Sequence, residues 1–196
     1  MKTGEDVLNF WFGPAPLPNR SMPDFAKWFR KNKIFDDEIR AQFSELLDES
    51  EVVERWGGTA RGRLAAVILW DQFPRNIFRG SPQAFAYDDR ARGVARASVN
   101  EGDEAKLHVL ERMFLYLPFQ HSENLQDQVR SIAFVERLAA DAPVGLGEVI
   151  GQNLFYAKRH WEIIARFGRF PHRNEVLGRE STAEEIEFLK EPNSSF

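Results

Sequence analysis

Apolar residues recur along this chain at helical spacing, and the stripes are separated by Gly, Pro and short polar residues. Val7, Leu8, Phe10 and Trp11 form the first face. Thr3 is placed to cap that helix, with Glu5 and Asp6 at its positive end, and Gly13-Pro14 stops it after Phe12. An extended loop is expected over Pro14 to Asn19, and Pro23 suits the first turn of a segment carrying Phe25, Trp28 and Phe29. Asp36 or Asp37 opens the next stripe (Ile39, Phe43, Leu46, Leu47), which is expected to run to about Trp56, before Gly57-Gly58. The stretch from Arg61 to Phe73 is apolar almost all round, the mark of a central buried helix, with Pro74 as its stop.

Ser81-Pro82 reads as N-cap and first turn of a helix bearing Phe85, Ala91, Val94, Ala95 and Val99, ended near Asn100 to Gly102. Leu107, Leu110, Met113, Phe114 and Leu117 give another, ended by Pro118, and Leu125, Val129, Ile132, Phe134, Val135 and Leu138 the next. After a loop over Ala142 to Gly147, a long helix takes in Val149, Ile150, Leu154, Ala157, Trp161, Ile163 and Ile164. Ser181-Thr182-Ala183-Glu184 reads as a capping box before Ile186, Phe188 and Leu189, with Pro192 as the stop. No stretch alternates with period two between hairpin turns. The expected fold is all-α, one domain over residues 1–196. Its short connections would make sequential helices antiparallel partners, stacked as helix–turn–helix pairs.

Composition narrows the function classes. A formal net charge of −4 argues against a nonspecific nucleic-acid binder, which needs a net basic face. The chain has no cysteine, which removes disulfide scaffolds, thiolate zinc sites and cysteine nucleophiles. Glu5, Asp6 and Asn9 interrupt the N-terminal apolar stretch, so it does not read as a signal peptide. The apolar run Leu64 to Trp70 is too short to span a bilayer. A cytoplasmic protein without membrane contact is expected, and nothing in the sequence calls for a cofactor.

The candidate chemistry lies in the middle and at the end of the chain. Arg166, Arg169, His172, Arg173 and Asn174 alternate with Phe167 and Phe170. Guanidinium forks match carboxylates and phosphates, so this block is either a ligand site or an internal network tying down the last loop. Arg75 and Arg79 would add to it if the two loops meet. Asp71, on the apolar helix, is either a general base or the partner of a nearby arginine. His121 and Glu123 could join His160 or His172 around a metal, but no paired-histidine spacing supports this, and no metal is assigned. Ser122 beside His121 lacks the elbow of a serine hydrolase. His160 shares a helix face with Tyr156, and Gly168 and Gly178 read as helix-end or turn residues.

Three stretches carry a wider likeness: Leu69 through Gly80, Leu115 through Glu123, and Arg166 through Arg179, with the opening Val7-Leu8-Asn9-Phe10-Trp11-Phe12. Together they resemble the family called domain of unknown function 924. The resemblance implies a helical, tetratricopeptide-like fold and no established activity. Gln120 stands where that pattern leads one to expect an acidic residue, which weakens any mechanism needing a carboxylate there.

Taken together, the expected function is a binding module. Its groove would be lined by aromatics and arginines and would take a peptide segment or a small anionic ligand. The rival classes are an acid–base or metal-assisted hydrolase using His121, Glu123, His160 and His172, and a structural protein that self-associates as a homo-oligomer.

Overall fold

The computed structural model describes residues 2–18 and 25–196. Pro23 and the end of the loop expected before it lie outside the described residues. The described residues hold no strand, and the fold is all-α.

Helix α1 (Gly4–Phe12) is capped as its sequence foretells: Asp6 N–H donates to Thr3 Oγ1 at 3.2 Å and Thr3 N–H to Asp6 Oδ2 at 2.7 Å. A 3-10 turn (Phe25–Trp28) and α2 (Lys33–Phe43) follow. Asn32, rather than Asp36 or Asp37, caps α2, its Oδ1 accepting from the amides of Ile34 and Phe35. The stripe expected to continue to Trp56 is broken. A 3-10 turn covers Ser44–Leu46, and α3 is only Val52–Trp56. Gly62, on α4 (Ala60–Val67), permits the tight turn after α3, since a Cβ there would sit 1.8 Å from the Trp56 carbonyl oxygen.

Proline does not end two helices that it was expected to end. After α4 the chain widens into a π-helical turn (Ile68–Gln72), with Phe73 N–H bonded to Ile68 O, and continues as α5 (Phe73–Ile77) with Pro74 in its first turn. Proline lacks the N–H and crowds the preceding turn of a regular helix, and one residue inserted as a π turn relieves both. The same insertion lets consecutive polar residues, Asp71 and Gln72, both face inward. In α7 (Val109–Gln120) Pro118 sits within the helix, and the helix continues to His121, whose N–H caps it on Leu117 O at 2.9 Å.

The expected helix from Ser81 is divided into a 3-10 turn (Pro82–Phe85) and α6 (Asp88–Asn100). Asn124 caps α8 (Leu125–Asp141) and Gly168, at φ 68°, ends α9 (Gly147–Phe167). The last capping box is one residue later than expected: Thr182 and Glu185 cap each other ahead of α10 (Ala183–Phe188).

Chain neighbours pack together at α7–α8 and α8–α9, and the short connections make them antiparallel. Helix α4 instead touches α1, α3, α6 and α7, as its all-round apolar surface requires. The main core is rich in rings. Trp11, Phe12, Trp28 and Phe114 meet edge-on or stacked at 4.9 to 6.2 Å between centroids. A smaller cluster of Ile163, Ile164, Phe170 and Phe188 seats the C-terminal segment on the end of α9.

Candidate functional site

The end of α7, the π turn, α9 and the C-terminal segment surround a cavity of about 860 Å³. Six of the residues singled out in the sequence line it: Arg75, Arg79, His121, His160, His172 and Arg173. Asp71 stands directly behind, with no exposed surface. Glu123, Arg166, Arg169 and Asn174 do not line it.

Asp71 is the hub of the inner wall. His121 Nδ1 lies 2.7 Å from Asp71 Oδ1, Gln72 Nε2 donates to Oδ2 at 2.6 Å, and Arg75 Nη1 is 3.4 Å from Oδ1. Burial alone would raise the Asp71 carboxyl. The charges and hydrogen bonds around it outweigh burial and hold it ionised, below the usual carboxylate range. His121 Nδ1 therefore carries the hydrogen it donates. Burial and the Arg75 charge push the His121 imidazole below its ordinary pKa against the pull of Asp71, so the ring is neutral and Nε2 keeps its lone pair.

His160 is held in the same tautomer by a different acceptor, its Nδ1 donating to Tyr156 O at 2.7 Å. Burial, first, and neighbouring positive groups bring its pKa down to about 3. Its ring lies 6.2 Å from that of His121 and is stacked on Phe196 at 4.1 Å. His172, packed by Phe170 and Phe196, falls to about 4 by burial and the nearby Arg173 charge, and its Nδ1 is buried without a partner among the described residues. Three histidines thus reach one cavity, all neutral at neutral pH. Among the described residues, no group of three or more His, Asp or Glu side chains is placed to hold a metal ion.

The arginines divide. Arg75 donates to both oxygens of Asp88, at 2.7 and 2.9 Å, and to Asp71 O at 2.7 Å. Arg173 lies between the rings of Phe85 and Phe170, 4.7 and 4.3 Å from their centroids, and donates to His121 O at 3.0 Å. Arg79 is tied to Asp36 on α2 and to Asn76. Arg166 pairs with Glu184. Arg169 forms a fork on Glu185 with both bonds at 2.7 Å, and Asn174 Nδ2 donates to Ser181 and Glu185. These last three residues fasten the final helix to the segment before it. Glu123 does the same for the preceding loop, accepting both Arg179 nitrogens, at 2.7 and 2.9 Å, and Phe170 N–H at 2.8 Å. Ser122 donates to Asp127, while the His121 ring bonds Asp71, so the neighbours are not a nucleophile–base pair.

Several lining residues were not named as site residues from sequence. Arg30 and Lys31 are exposed at the mouth and pair with no carboxylate among the described residues. Gln72, Asn76, Gln120 and Asn153 supply neutral amides, and Trp28, Phe29, Phe85, Tyr156 and Phe196 supply rings. A sign of Arg30 and Lys31 was available: Lys27 to Lys31 alternates bases with rings as the C-terminal block does.

No helix among the described residues is long and apolar enough to cross a membrane. No curated protein matches the chain. A solved structure described as a protein of unknown function, ATU0120, from Agrobacterium tumefaciens is similar to it, with 34% identity and a TM-score of 0.79 over 96% of this chain and 97% of that one. The sequence profile described as bacterial protein of unknown function, DUF924, matches residues 7–193. On that match, and with the helical fold it shares with its solved relative, the chain belongs to the DUF924 family.

Proposed function

We propose that the protein is a binding module and that its cavity takes a small anionic molecule. One observation carries this reading: Arg30 and Lys31, which pair with no carboxylate among the described residues, stand at the mouth of a cavity whose wall combines already-paired arginines with neutral amide and imidazole. Among the described residues that line it, Glu148 is the sole acidic side chain. An anionic group is drawn to the mouth, where its charge is matched without breaking an existing ion pair. The uncharged body of the ligand then meets rings and hydrogen-bonding side chains, the usual composition of a small-molecule site. The volume, about 860 Å³, suits a small molecule better than an extended peptide.

Titration calorimetry with succinate and with pyrophosphate tests the reading. Saturable binding of at least one is expected, weakening as salt is raised, because the mouth is solvent-exposed. The Arg30→Ala/Lys31→Ala double variant is expected to lose affinity by about fivefold or more, in line with two partly screened charge contacts. Absence of saturable binding to either anion, or affinity unchanged in the double variant, refutes it.

A further inference from the structure

We propose that Asp71 and His121 form a proton-accepting pair that activates water in the cavity against a carboxylic ester of an anionic small molecule. The inference builds on the cavity as a ligand site, and its test separates the two.

The argument rests on how differently the two partners are exposed. The Asp71 side chain is fully sealed, while that of His121 keeps 16% of its surface open and lines the cavity. A carboxylate that orients an imidazole through Nδ1 leaves Nε2 as the free base, the arrangement used by histidine bases in acyl transfer. The pair is restrained on both sides. Gln72 holds the second carboxylate oxygen, and the π turn fixes Asp71 from its own backbone. Arg173 grips the His121 carbonyl from the far side. No protein partner of His121 Nε2 lies among the described residues, so that nitrogen is left to bond a molecule in the cavity that the residue lines. The charged and titratable groups facing the ring are Asp71 and Arg75 from the π turn and α5, and Asp88 from α6. His160 faces it from α9, and His172 and Arg173 from the C-terminal segment.

In the step, His121 Nε2 takes one proton from water as the water oxygen bonds to the ester carbonyl carbon. The carbonyl electron pair moves onto oxygen, and the side-chain amides of Gln120 and Asn153 are available to it as donors. The bond between them is long, at 3.4 Å, and Asn153 Nδ2 has no acceptor among the described residues. When the oxyanion collapses, the bond to the alcohol oxygen breaks and that oxygen recovers the proton from Nε2. Ester and water become acid and alcohol, and no further reactant enters the balance. The anionic end of the substrate rests at Arg30 and Lys31.

The probe is mono-p-nitrophenyl terephthalate, which joins a carboxylate to an activated ester across a rigid ring, so that the carboxylate cannot reach its own ester, and releases p-nitrophenolate. The full chain is expected to hydrolyse it saturably, faster than free imidazole at equal concentration. His121→Ala should lower kcat/KM by about thirtyfold or more, with partial recovery on adding imidazole. Asp71→Asn should lower it by about tenfold or more and move the acidic limb of the pH–rate profile to lower pH, because Asp71 raises the imidazole pKa. Arg166→Ala, outside the cavity, should leave the rate unchanged. If Asp71→Asn does not fold, His121→Ala and its imidazole rescue decide the matter. A wild-type rate no greater than free imidazole, or a His121→Ala variant as fast as wild type, overturns the pair. If the anions still bind in that case, the binding module stands without catalysis. If they do not bind yet hydrolysis depends on His121, the pair stands and the anion reading falls.

Discussion

Neutral, buried histidines should make this fold sensitive to mild acid, and His160 isolates the effect. Its ordinary pKa of 6.5 falls to about 3 in the fold, and that of His172 falls to about 4. Well above pH 6.5 neither the folded nor the unfolded chain protonates these rings, and stability is full. As pH falls below 6.5, only the unfolded chain takes the proton, so stability is lost progressively until the folded values are reached. At pH 5 the loss is about 2 kcal/mol for each ring, and this figure barely depends on how far below 5 the folded value lies. Carboxylates do not confuse this window. Asp103 and Glu185, held at about 2 chiefly by hydrogen bonds from Arg63 and Arg169, give stability that is lost only as pH falls from their ordinary values of 3.8 and 4.5. Urea unfolding at pH 8 and pH 5 is the assay, on wild type and on His160→Asn, whose amide can still donate to Tyr156 O. The variant is weaker at both pH values, but its loss between them should be about 2 kcal/mol smaller than that of wild type. His108 and His121, also depressed, keep their contribution in both proteins and cancel. Equal pH dependence in the two proteins would refute the account of His160 as a neutral interior ring.

Two further outcomes test how the C-terminal segment is held. Glu123→Gln removes the charged half of the fork to Arg179 and weakens the acceptor for Phe170 N–H; with Glu123 half-buried, a loss of about 1–2 kcal/mol is expected, read by denaturant unfolding and by faster hydrogen exchange at Phe170. Gly168→Ala should cost about 1 kcal/mol, because a Cβ meets no atom there and the whole penalty comes from φ 68°; an unchanged urea midpoint would contradict the left-handed cap.

Much of the helical framework was legible in the chain, because amphipathic spacing and end signals are local. Thr3 with Asp6 caps α1, Asn124 caps α8, and Gly168 closes α9, each from side chains or backbone freedom within a few residues. The two proline errors share a cause. Pro74 and Pro118 are stop signals locally, but both are buried in helices packed on several sides, and packing carried the helix past each of them. His108 caps α7 through its ring, its Nδ1 accepting from Leu110 N–H at 3.2 Å, a role absent from the usual set of capping residues.

The order of residue types along the chain determined that it folds as helices and that its arginines and histidines need partners. Which partners they find was decided in three dimensions. Arg169 and Arg173 are four residues apart in one basic-aromatic run, yet one closes on Glu185 and the other is stacked between Phe85 and Phe170 at the cavity. Asp71 and His121 are separated by 50 positions and meet at 2.7 Å. A guanidinium or imidazole bonds any acceptor within reach, and reach across the bundle is set by how helices pack and where a turn widens, not by spacing along the chain.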